Sequence, residues 1–249
     1  AVGRAPKGAL RGTHPADMTA ACITEALDRA NGLDPADVED VIIGCAMPEG
    51  TQGYNISRQS LLRAGLPESV PGQTVNRFCS SGLQTIAAAA ERIMSGYATT
   101  IVSGGVEHMS TTLEMPNFSP NPTLVETNPA VYMGMGLTAE EVAKEFDVSR
   151  EDQDALAVQS HQRAAKATAE GWFKEQILPI ELKSRKGTVT FDTDEHVRPD
   201  ATLEGMAKLK PVFDRNGSVT AGNAAGINDA AAAVILADSD YAERKGLQP

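Results

Sequence analysis

The segment with the clearest chemical potential reads VNRFCSSGLQTIAAAAERI and contains Cys79. A strand-like run precedes the cysteine and mostly small or apolar residues follow it, so the pattern predicts a buried helix with Cys79 at its N-terminus. The N–H groups and the dipole at such a position stabilise a thiolate. They can also hold the oxyanion that forms when sulfur attacks a carbonyl carbon. The segment is therefore compatible with a nucleophilic cysteine, with Ser80, Ser81 and Gly82 leaving room for a substrate. A small buried hydrophobe is the alternative role for Cys79.

A free cysteine is more often a small buried hydrophobe, and we predict that role for Cys22, in an amphipathic helix, and Cys45, on an apolar strand. The three cysteines lack C-x-x-C spacing, so neither a metal site nor a disulfide framework is expected. Their number and spacing favour a reducing compartment, and we expect the protein to be cytoplasmic.

A Cys–His pair would require a histidine within reach of Cys79. His108 follows a predicted strand end and is the local candidate. His161, on a helix surface, and His196, in a charged strand, are predicted to be solvated.

Composition excludes some partners. The 249 residues carry 22 basic and 33 acidic side chains, a net charge of −11, so we expect neither nucleic acid nor a membrane surface as a partner. No run approaches the roughly 18 apolar residues of a membrane span, and the first residues do not resemble a signal peptide. Only 4% of residues are aromatic, which predicts a core of Ala, Val, Ile, Leu and Met.

Helix-like and strand-like segments alternate, which favours a layered α/β fold. The predicted helices are 16–30, SRQSLLRAG, 80–95, one headed by the Thr138/Glu141 pair, and one headed by the Ser149/Asp152 pair that ends at Ala169. The predicted strands are 38–47, QTVNRF, TTIVSGG, the half-exposed KGTVTFDTDEHV, and a buried strand from Ala230.

Between about residues 108 and 216, Pro, Asn and charged residues become more frequent. We predict an α/β core over 1–107, an inserted segment over 108–216, and a return to the core over 217–249. Residues 183–215 hold seven basic and six acidic side chains, which is a weak indication of an anionic ligand. A solvated, mixed-charge face is the alternative. Three glycine-bearing loops could line a pocket: SGGVEHMS, YMGMGLTAE and VTAGNAAGINDAAAA.

Six motifs in this order resemble the thiolase family, the acyl-CoA C-acyltransferases: VNRFCSSGLQTI, SGGVEHMS, GMGLTAEEVAKEF, REDQDALAVQSHQRA, ATLEGMAKLKPVF and VTAGNAAGINDAAAAVIL. The likeness covers nearly the whole chain. It implies the N-terminal half of a layered thiolase-like α/β fold, opening after the family's first strand, with an inserted α+β loop domain.

The resemblance also implies a function. Cys79 would carry the acyl group during thiolysis of a 3-ketoacyl-CoA or the reverse Claisen condensation, and its backbone N–H would contribute to an oxyanion site. Arg198 would lie near the CoA adenine and phosphates. Met135, Ala221 and Ala225 would line the pantetheine tunnel. Coenzyme A is then a substrate, no cofactor is expected, and a homodimer or homotetramer acting in fatty acid metabolism is implied.

The chain departs from the family at several positions. Ala225 replaces a serine and Gly134 a histidine found in many biosynthetic members, and GMGLTAEE is closer to the degradative type. The G-H-P motif with its activating histidine and the C-x-G motif with its proton-exchanging cysteine do not occur in these 249 residues. We therefore expect the chain alone to be inactive in thiolysis. The alternatives are a non-catalytic CoA-binding fragment and a decarboxylating condensing enzyme of the same superfamily.

Overall fold

The computed structural model describes residues 1–113, 117–184 and 187–248. Contacts divide the chain into two compact units. The sheet unit comprises Ala1–Asn117, Leu178–Glu195 and Ile227–Pro249, and the helical unit comprises Phe118–Ile177 and His196–Gly226. The predicted boundaries at 108 and 216 stay a prediction. Of the basic residues in the 183–215 stretch, Arg185 and Lys186 lie outside the described residues.

A five-stranded mixed sheet organises the sheet unit. Its strands are β1 (Gly3–Arg4), β2 (Asp40–Gly44), β3 (Gly72–Val75), β4 (Thr100–His108) and β7 (Asn228–Ala237). Their order across the sheet is β1-β7-β4-β2-β3. β2 runs parallel to both of its neighbours, whereas β7 is antiparallel to β4 and β1. Every residue of β2 is buried, as expected for a central strand covered on both faces.

Helices cover the two faces of this sheet. On one face α1 (Pro15–Arg29) packs against β7 and α2 (Ile56–Arg63) against β3, and the core there includes Val41, Ile43 and Val102. On the other face α3 (Ser81–Met94) packs against β4 and β2, where Ile42, Ala89 and Ile101 meet. Alternate residues of β2 thus enter opposite cores. The prediction of a layered α/β fold is confirmed.

Shorter elements complete the sheet unit. They are α4 (Met109–Thr112), the two-stranded antiparallel ribbon β5 (Ile180–Ser184) and β6 (Gly187–Phe191), and α9 (Ser239–Lys245). The predicted strand in KGTVTFDTDEHV is confirmed as β6, in which Phe191 is buried in the core.

The helical unit contains α5 (Pro122–Thr127), α6 (Met135–Glu145), α7 (Arg150–Ala169) and α8 (Leu203–Ala207). The predicted α7 is confirmed, because Ser149 caps it by accepting the N–H of Asp152 at 3.0 Å. The prediction that Thr138 heads a helix is wrong. Gly134 is the extended residue that precedes α6, so Thr138 lies inside its first turn and donates to the Gly134 carbonyl oxygen instead.

Two predictions of complete burial are also wrong. In β7, alternate residues such as Ala233 and Ile235 pack on the α1 side, whereas Val234 points the other way and is 45% exposed. In α3, Thr85 and Ala89 are buried but Leu83 is 72% exposed. Small and apolar residues on all sides of an element predict burial on all sides. The sheet unit covers only one side of α3, and on the second side of β7 it covers Leu236 but leaves Val234 exposed.

SGGVEH was predicted to form a loop after a strand, but it is the second half of β4. The lack of a side chain at Gly104 allows the neighbouring strand to approach closely. A Cβ atom at Gly104 would lie 2.2 Å from the carbonyl oxygen of Ala232 on the neighbouring β7. None of the helices in the described residues combines the length and the apolar character that a bilayer crossing requires.

Candidate active site

Cys79 lies in the turn that joins β3 to α3, in the sheet unit. The predicted strand QTVNRF ends at Val75, and α3 begins at Ser81 after the N-cap Ser80, so the cysteine immediately precedes the helix. The Cys79 side chain is exposed. The predicted location at a helix N-terminus therefore agrees with the structure, and the sulfur is open to a reagent or substrate.

Side chains on both ends of this turn hold its backbone. Phe78 has a φ of +48°, which a bulky residue rarely adopts. The Asn76 side-chain oxygen accepts the N–H of Phe78 at 2.9 Å. Ser81 Oγ accepts the N–H of Arg77 at 2.9 Å and donates to the carbonyl oxygen of Phe78 at 2.6 Å. The direction of the Cys79 side chain is thus set by the turn as well as by the helix.

The N-terminus of α3 rests directly on the end of β2. A Cβ atom added at Gly44 would lie 2.7 Å from the carbonyl carbon of Ser81 and 2.8 Å from its Cβ. Buried Thr85 ties the same helix to β4, because its hydroxyl donates to the carbonyl oxygen of Gly104 at 3.0 Å. These contacts with β2 and β4 therefore fix the position of α3 and of the cysteine that precedes it.

Two backbone N–H groups at the start of α3 are available to a ligand. Those of Gly82 and Leu83 have no acceptor outside α3 among the described residues. Nothing lies within 4 Å of the position that a Cβ atom of Gly82 would occupy. These N–H groups, the open space at Gly82 and an exposed cysteine are features that attack on a carbonyl carbon can use.

The other two cysteines have different surroundings. Cys45 is only 1% exposed; burial and the nearby Glu107 carboxylate raise the pKa of its thiol to about 12. Cys22 is half-buried, burial raises the pKa of its thiol, and its sulfur donates to the carbonyl oxygen of Ala231 at 3.4 Å. The sequence missed the carboxylate beside Cys45, which disfavours a thiolate. Both environments suit the structural role predicted for these residues.

The ring nitrogens of His108 face groups other than Cys79. The imidazole is buried, its Nδ1 faces the Thr111 hydroxyl at 2.9 Å, and its Nε2 faces the carbonyl oxygen of Leu10 at 3.2 Å. Both ring nitrogens are therefore engaged. Nor is His161 merely solvated, because its Nδ1 accepts the backbone N–H of Arg198 at 3.2 Å. His196 is half-buried against Gly226, whose Cβ position would lie 2.5 Å from the ring.

Asn76 and Phe78 are site residues that the sequence analysis did not single out. One signal was present, since asparagine commonly accepts a hydrogen bond from the backbone N–H two residues later. The positive φ of Phe78 has no comparable signal, because a phenylalanine at that position predicts extended or helical backbone.

The four residues predicted to contact CoA all lie in the helical unit, whereas Cys79 lies in the sheet unit. Arg198, Ala221 and Ala225 are exposed, and Met135, the first residue of α6, is 69% exposed. Their side chains are thus accessible in the unit that carries them. In the parts of the chain that the structure describes, no cluster of three or more His, Cys, Asp or Glu is arranged to hold a metal ion.

Segment 217–226, which carries Ala221 and Ala225, is anchored by two buried carboxylates. Glu140 on α6 accepts the N–H of Ser218 at 2.9 Å and that of Val219 at 2.8 Å. Asn223 donates to Asp154 on α7 at 2.9 Å. Burial alone would raise the pKa of Glu140, but the N–H groups and hydroxyl that it accepts lower the net pKa below the ordinary value.

This anchoring predicts acid sensitivity of the helical unit. Because the folded-state pKa of Glu140 lies below its ordinary value of 4.5, the stabilisation is present above that value and is lost as pH falls through the folded-state pKa. We expect Glu140→Gln to lower the free energy of unfolding by ~2 kcal/mol at pH 7 and to flatten its decline below pH ~4.5. Fluorescence of Trp172, the single tryptophan, measures this unfolding. Glu141→Gln, an exposed neighbour, is the control; equal effects of the two variants would contradict the prediction.

Comparison with known proteins identifies the family. Residues 1–240 match the family model described as "Thiolase, N-terminal domain". The 3-ketoacyl-CoA thiolase of Bacillus subtilis is 49% identical over 100% of this chain and 66% of its own length. The acetyl-CoA acetyltransferase of Shinella zoogloeoides is 41% identical over 97% of this chain and 64% of its own length. The crystal structure of the Bacillus anthracis acetyl-CoA acetyltransferase superposes with a TM-score of 0.86 at 39% identity, covering 100% of this chain and 65% of that one.

The fold and site define an α/β protein with an exposed cysteine held in a constrained turn at a helix N-terminus. The chain belongs to the thiolase family. The resemblance stated from the motifs and the predicted thiolase-like fold are confirmed. The chain spans about two thirds of the length of these relatives.

Proposed function

We propose that this chain is the part of an acyl-CoA C-acyltransferase that supplies the nucleophile, Cys79, and contacts to coenzyme A. The observation that carries the proposal is the placement of Cys79, which is exposed and held in a strained turn directly before a helix with available N–H groups. The names of the relatives, 3-ketoacyl-CoA thiolase and acetyl-CoA acetyltransferase, give the substrate class.

In the proposed reaction the Cys79 thiolate attacks the 3-keto carbon of a 3-ketoacyl-CoA. The bond between the α and β carbons breaks, the acyl group stays on sulfur as a thioester, and the departing enolate takes a proton to give acetyl-CoA. A second CoA then loses its thiol proton, which balances the proton taken by the enolate. Its thiolate attacks the acyl-cysteine, and the Cys79 thiolate is released as the shortened acyl-CoA forms. The reverse sequence is Claisen condensation. The N–H of Cys79 and those that begin α3 would stabilise the oxyanion.

Four residues of the helical unit would contact coenzyme A. Arg198 provides a fixed positive charge for the phosphates, and its backbone is held by His161. Met135, Ala221 and Ala225 offer small or apolar surfaces to the narrow pantetheine chain. Coenzyme A acts as substrate and no further cofactor is required. Assembly as a dimer or tetramer, a cytoplasmic location and a place in fatty acid metabolism belong to the same proposal.

One assay tests the acyl-transfer part. The chain is incubated with acetyl-CoA, quenched in acid, digested and analysed by mass spectrometry. We expect one acetyl group on Cys79 and protection of that residue from iodoacetamide, because the thioester removes the free sulfur. Cys22→Ala should behave like the unaltered chain, and Cys79→Ala should take up no acetyl group.

The same assay separates the alternatives. Protection without acetylation would support a non-catalytic CoA-binding role and overturn acyl transfer, and absence of both would overturn the whole proposal. Arg198→Gln should raise the acetyl-CoA concentration for half-protection about tenfold, whereas Arg215→Gln, another exposed arginine in the basic stretch, should not. Thiolysis of acetoacetyl-CoA by this chain alone should be low or absent, since the G-H-P and C-x-G motifs do not occur in it.

A further inference from the structure

The Glu107 carboxylate, on β4, binds the backbone of the segment that follows β2. Glu107 accepts the N–H of Ala46 at 2.8 Å and that of Met47 at 3.2 Å. It also accepts a hydrogen bond from Nε2 of buried Gln52 at 2.8 Å. The side-chain oxygen of Gln52 in turn accepts the N–H of His108 at 2.6 Å. The segment that follows β2 is therefore tied to the carboxyl end of β4 by charge-assisted bonds, which are stronger than neutral ones.

Asn76 extends this support to the turn itself. Its Nδ2 donates to the carbonyl oxygen of Ala46 at 3.1 Å, and its Oδ1 accepts the N–H of Phe78 at 2.9 Å. The peptide group between Ala46 and Met47 thus connects the two side chains: its N–H is accepted by Glu107, and its carbonyl oxygen accepts from Asn76. One amide side chain thereby bridges the segment after β2 and the turn after β3.

The bridge ends at the residue whose backbone needs support. A non-glycine residue with φ near +48° is strained by roughly 1–3 kcal/mol and persists only where its surroundings impose it. Phe78 immediately precedes Cys79, so relaxation of its φ to a negative value would rotate the Cys79 side chain relative to the N-terminus of α3. Ser81 donates to the Phe78 carbonyl oxygen through both its hydroxyl and its backbone N–H, whereas Asn76 accepts the Phe78 N–H.

We propose that Asn76 is a positioning residue for the Cys79 sulfur, anchored through Ala46 to Glu107. The proposal rests on the proposed function for the role of Cys79 as nucleophile and deepens it. Asn76 does not touch the reacting atoms. It keeps Phe78 in the left-handed conformation, and this conformation sets the direction of the Cys79 side chain relative to the N-terminus of α3.

The test measures the rate constant for alkylation of Cys79 by iodoacetamide, relative to that of Cys22 in the same sample. We expect Asn76→Ala to lower this ratio about fivefold, the value of one hydrogen bond of about 1 kcal/mol. Asn76→Ser should lower the ratio only about twofold, because a serine hydroxyl can still accept the Phe78 N–H but does not replace the amide that donates to Ala46. Gln73→Ala, at another exposed polar residue of the neighbouring strand, is the matched control.

A ratio that is unchanged or raised in Asn76→Ala, or equally lowered in Asn76→Ser, would overturn the proposal. Alkylation of buried Cys45 in the same sample shows whether an Asn76 variant is folded, since general unfolding exposes all three thiols. Circular dichroism is the folding check for Glu107→Gln, because Glu107 itself raises the pKa of Cys45. Should Asn76→Ala unfold, Asn76→Ser and Glu107→Gln decide the question. Glu107→Gln should also slow Cys79, and in the double variant with Asn76→Ser the two effects should not add, because both act through Ala46.

The assay contains no coenzyme A, so its outcome is independent of acyl transfer. A positioning effect of Asn76 without acetylation of Cys79 would overturn only the proposed function. Acetylation of Cys79 without an effect of Asn76 would overturn only this further inference.

Discussion

Iodoacetamide at pH 8 should modify Cys79 more than about 100-fold faster than Cys45 in the folded chain. The thiolate is the reactive species, and a thiol whose pKa is raised to about 12 is ionised to roughly one part in 10⁴ at pH 8. Cys45 is also buried in the sheet core, whereas Cys79 is exposed. Cys22 should react at an intermediate rate, since it is half-buried and burial raises the pKa of its thiol. Peptide mapping after timed alkylation gives the three rates.

Two controls make this prediction decisive. In guanidinium chloride the three cysteines should react at similar rates, because the differences arise from the folded environment. Cys79→Ser should remove the fast phase and leave the slow ones unchanged. Similar rates for all three cysteines under native conditions would contradict the distinction between one accessible nucleophile and two structural thiols.

Gly44→Ala should displace the Cys79 turn and destabilise the sheet unit. The new Cβ atom would lie 2.7–2.9 Å from the backbone and Cβ of Ser81, which cannot move without shifting the N-terminus of α3. We expect the free energy of unfolding to fall by ~2–3 kcal/mol and alkylation of Cys79 to slow about tenfold. Denaturant unfolding followed by circular dichroism and the alkylation assay measure the two effects.

Gly105→Ala is the matched control, because Gly105 pairs with Gly44 in neighbouring β4. The nearest atoms to its added Cβ are 3.5 and 3.8 Å away, which is ordinary van der Waals contact. Its effect on the free energy of unfolding should stay within ~1 kcal/mol. Equal losses in the two variants would show that strand glycines matter through backbone entropy, not through the contact between β2 and α3.

The sequence predicted several elements of both units because their signals are local. The buried run in β2, the stop of α3 at Gly96 and the Ser149 cap each depend on residues within one or two turns of chain. Burial was predicted less well. An element with apolar residues on all sides, such as α3, is buried only where a neighbour covers it, and that neighbour comes from elsewhere in the chain.

The sequence also indicated which residue types form the site, but it did not indicate which of these residues contact each other. A histidine next to a strand end suggested a partner for Cys79, yet the side chain of His108 turns inward to Leu10, 98 residues away. The sequence predicted a buried structural role for Cys45 and no charged neighbour, although β4 places Glu107 beside its thiol. Both outcomes depend on strand pairing, because adjacent strands bring together residues that are distant in sequence.

By itself, the amino-acid sequence determined the family, the α/β class and the placement of Cys79 before a helix, because each follows from motifs and periodicity along continuous segments. Only the tertiary structure decided how that cysteine is held. The strained backbone of Phe78, its support by Asn76 and the contact of Ser81 with Gly44 arise where three separate segments meet. Each of these contacts is defined by distances across the sheet, and no local pattern encodes such distances.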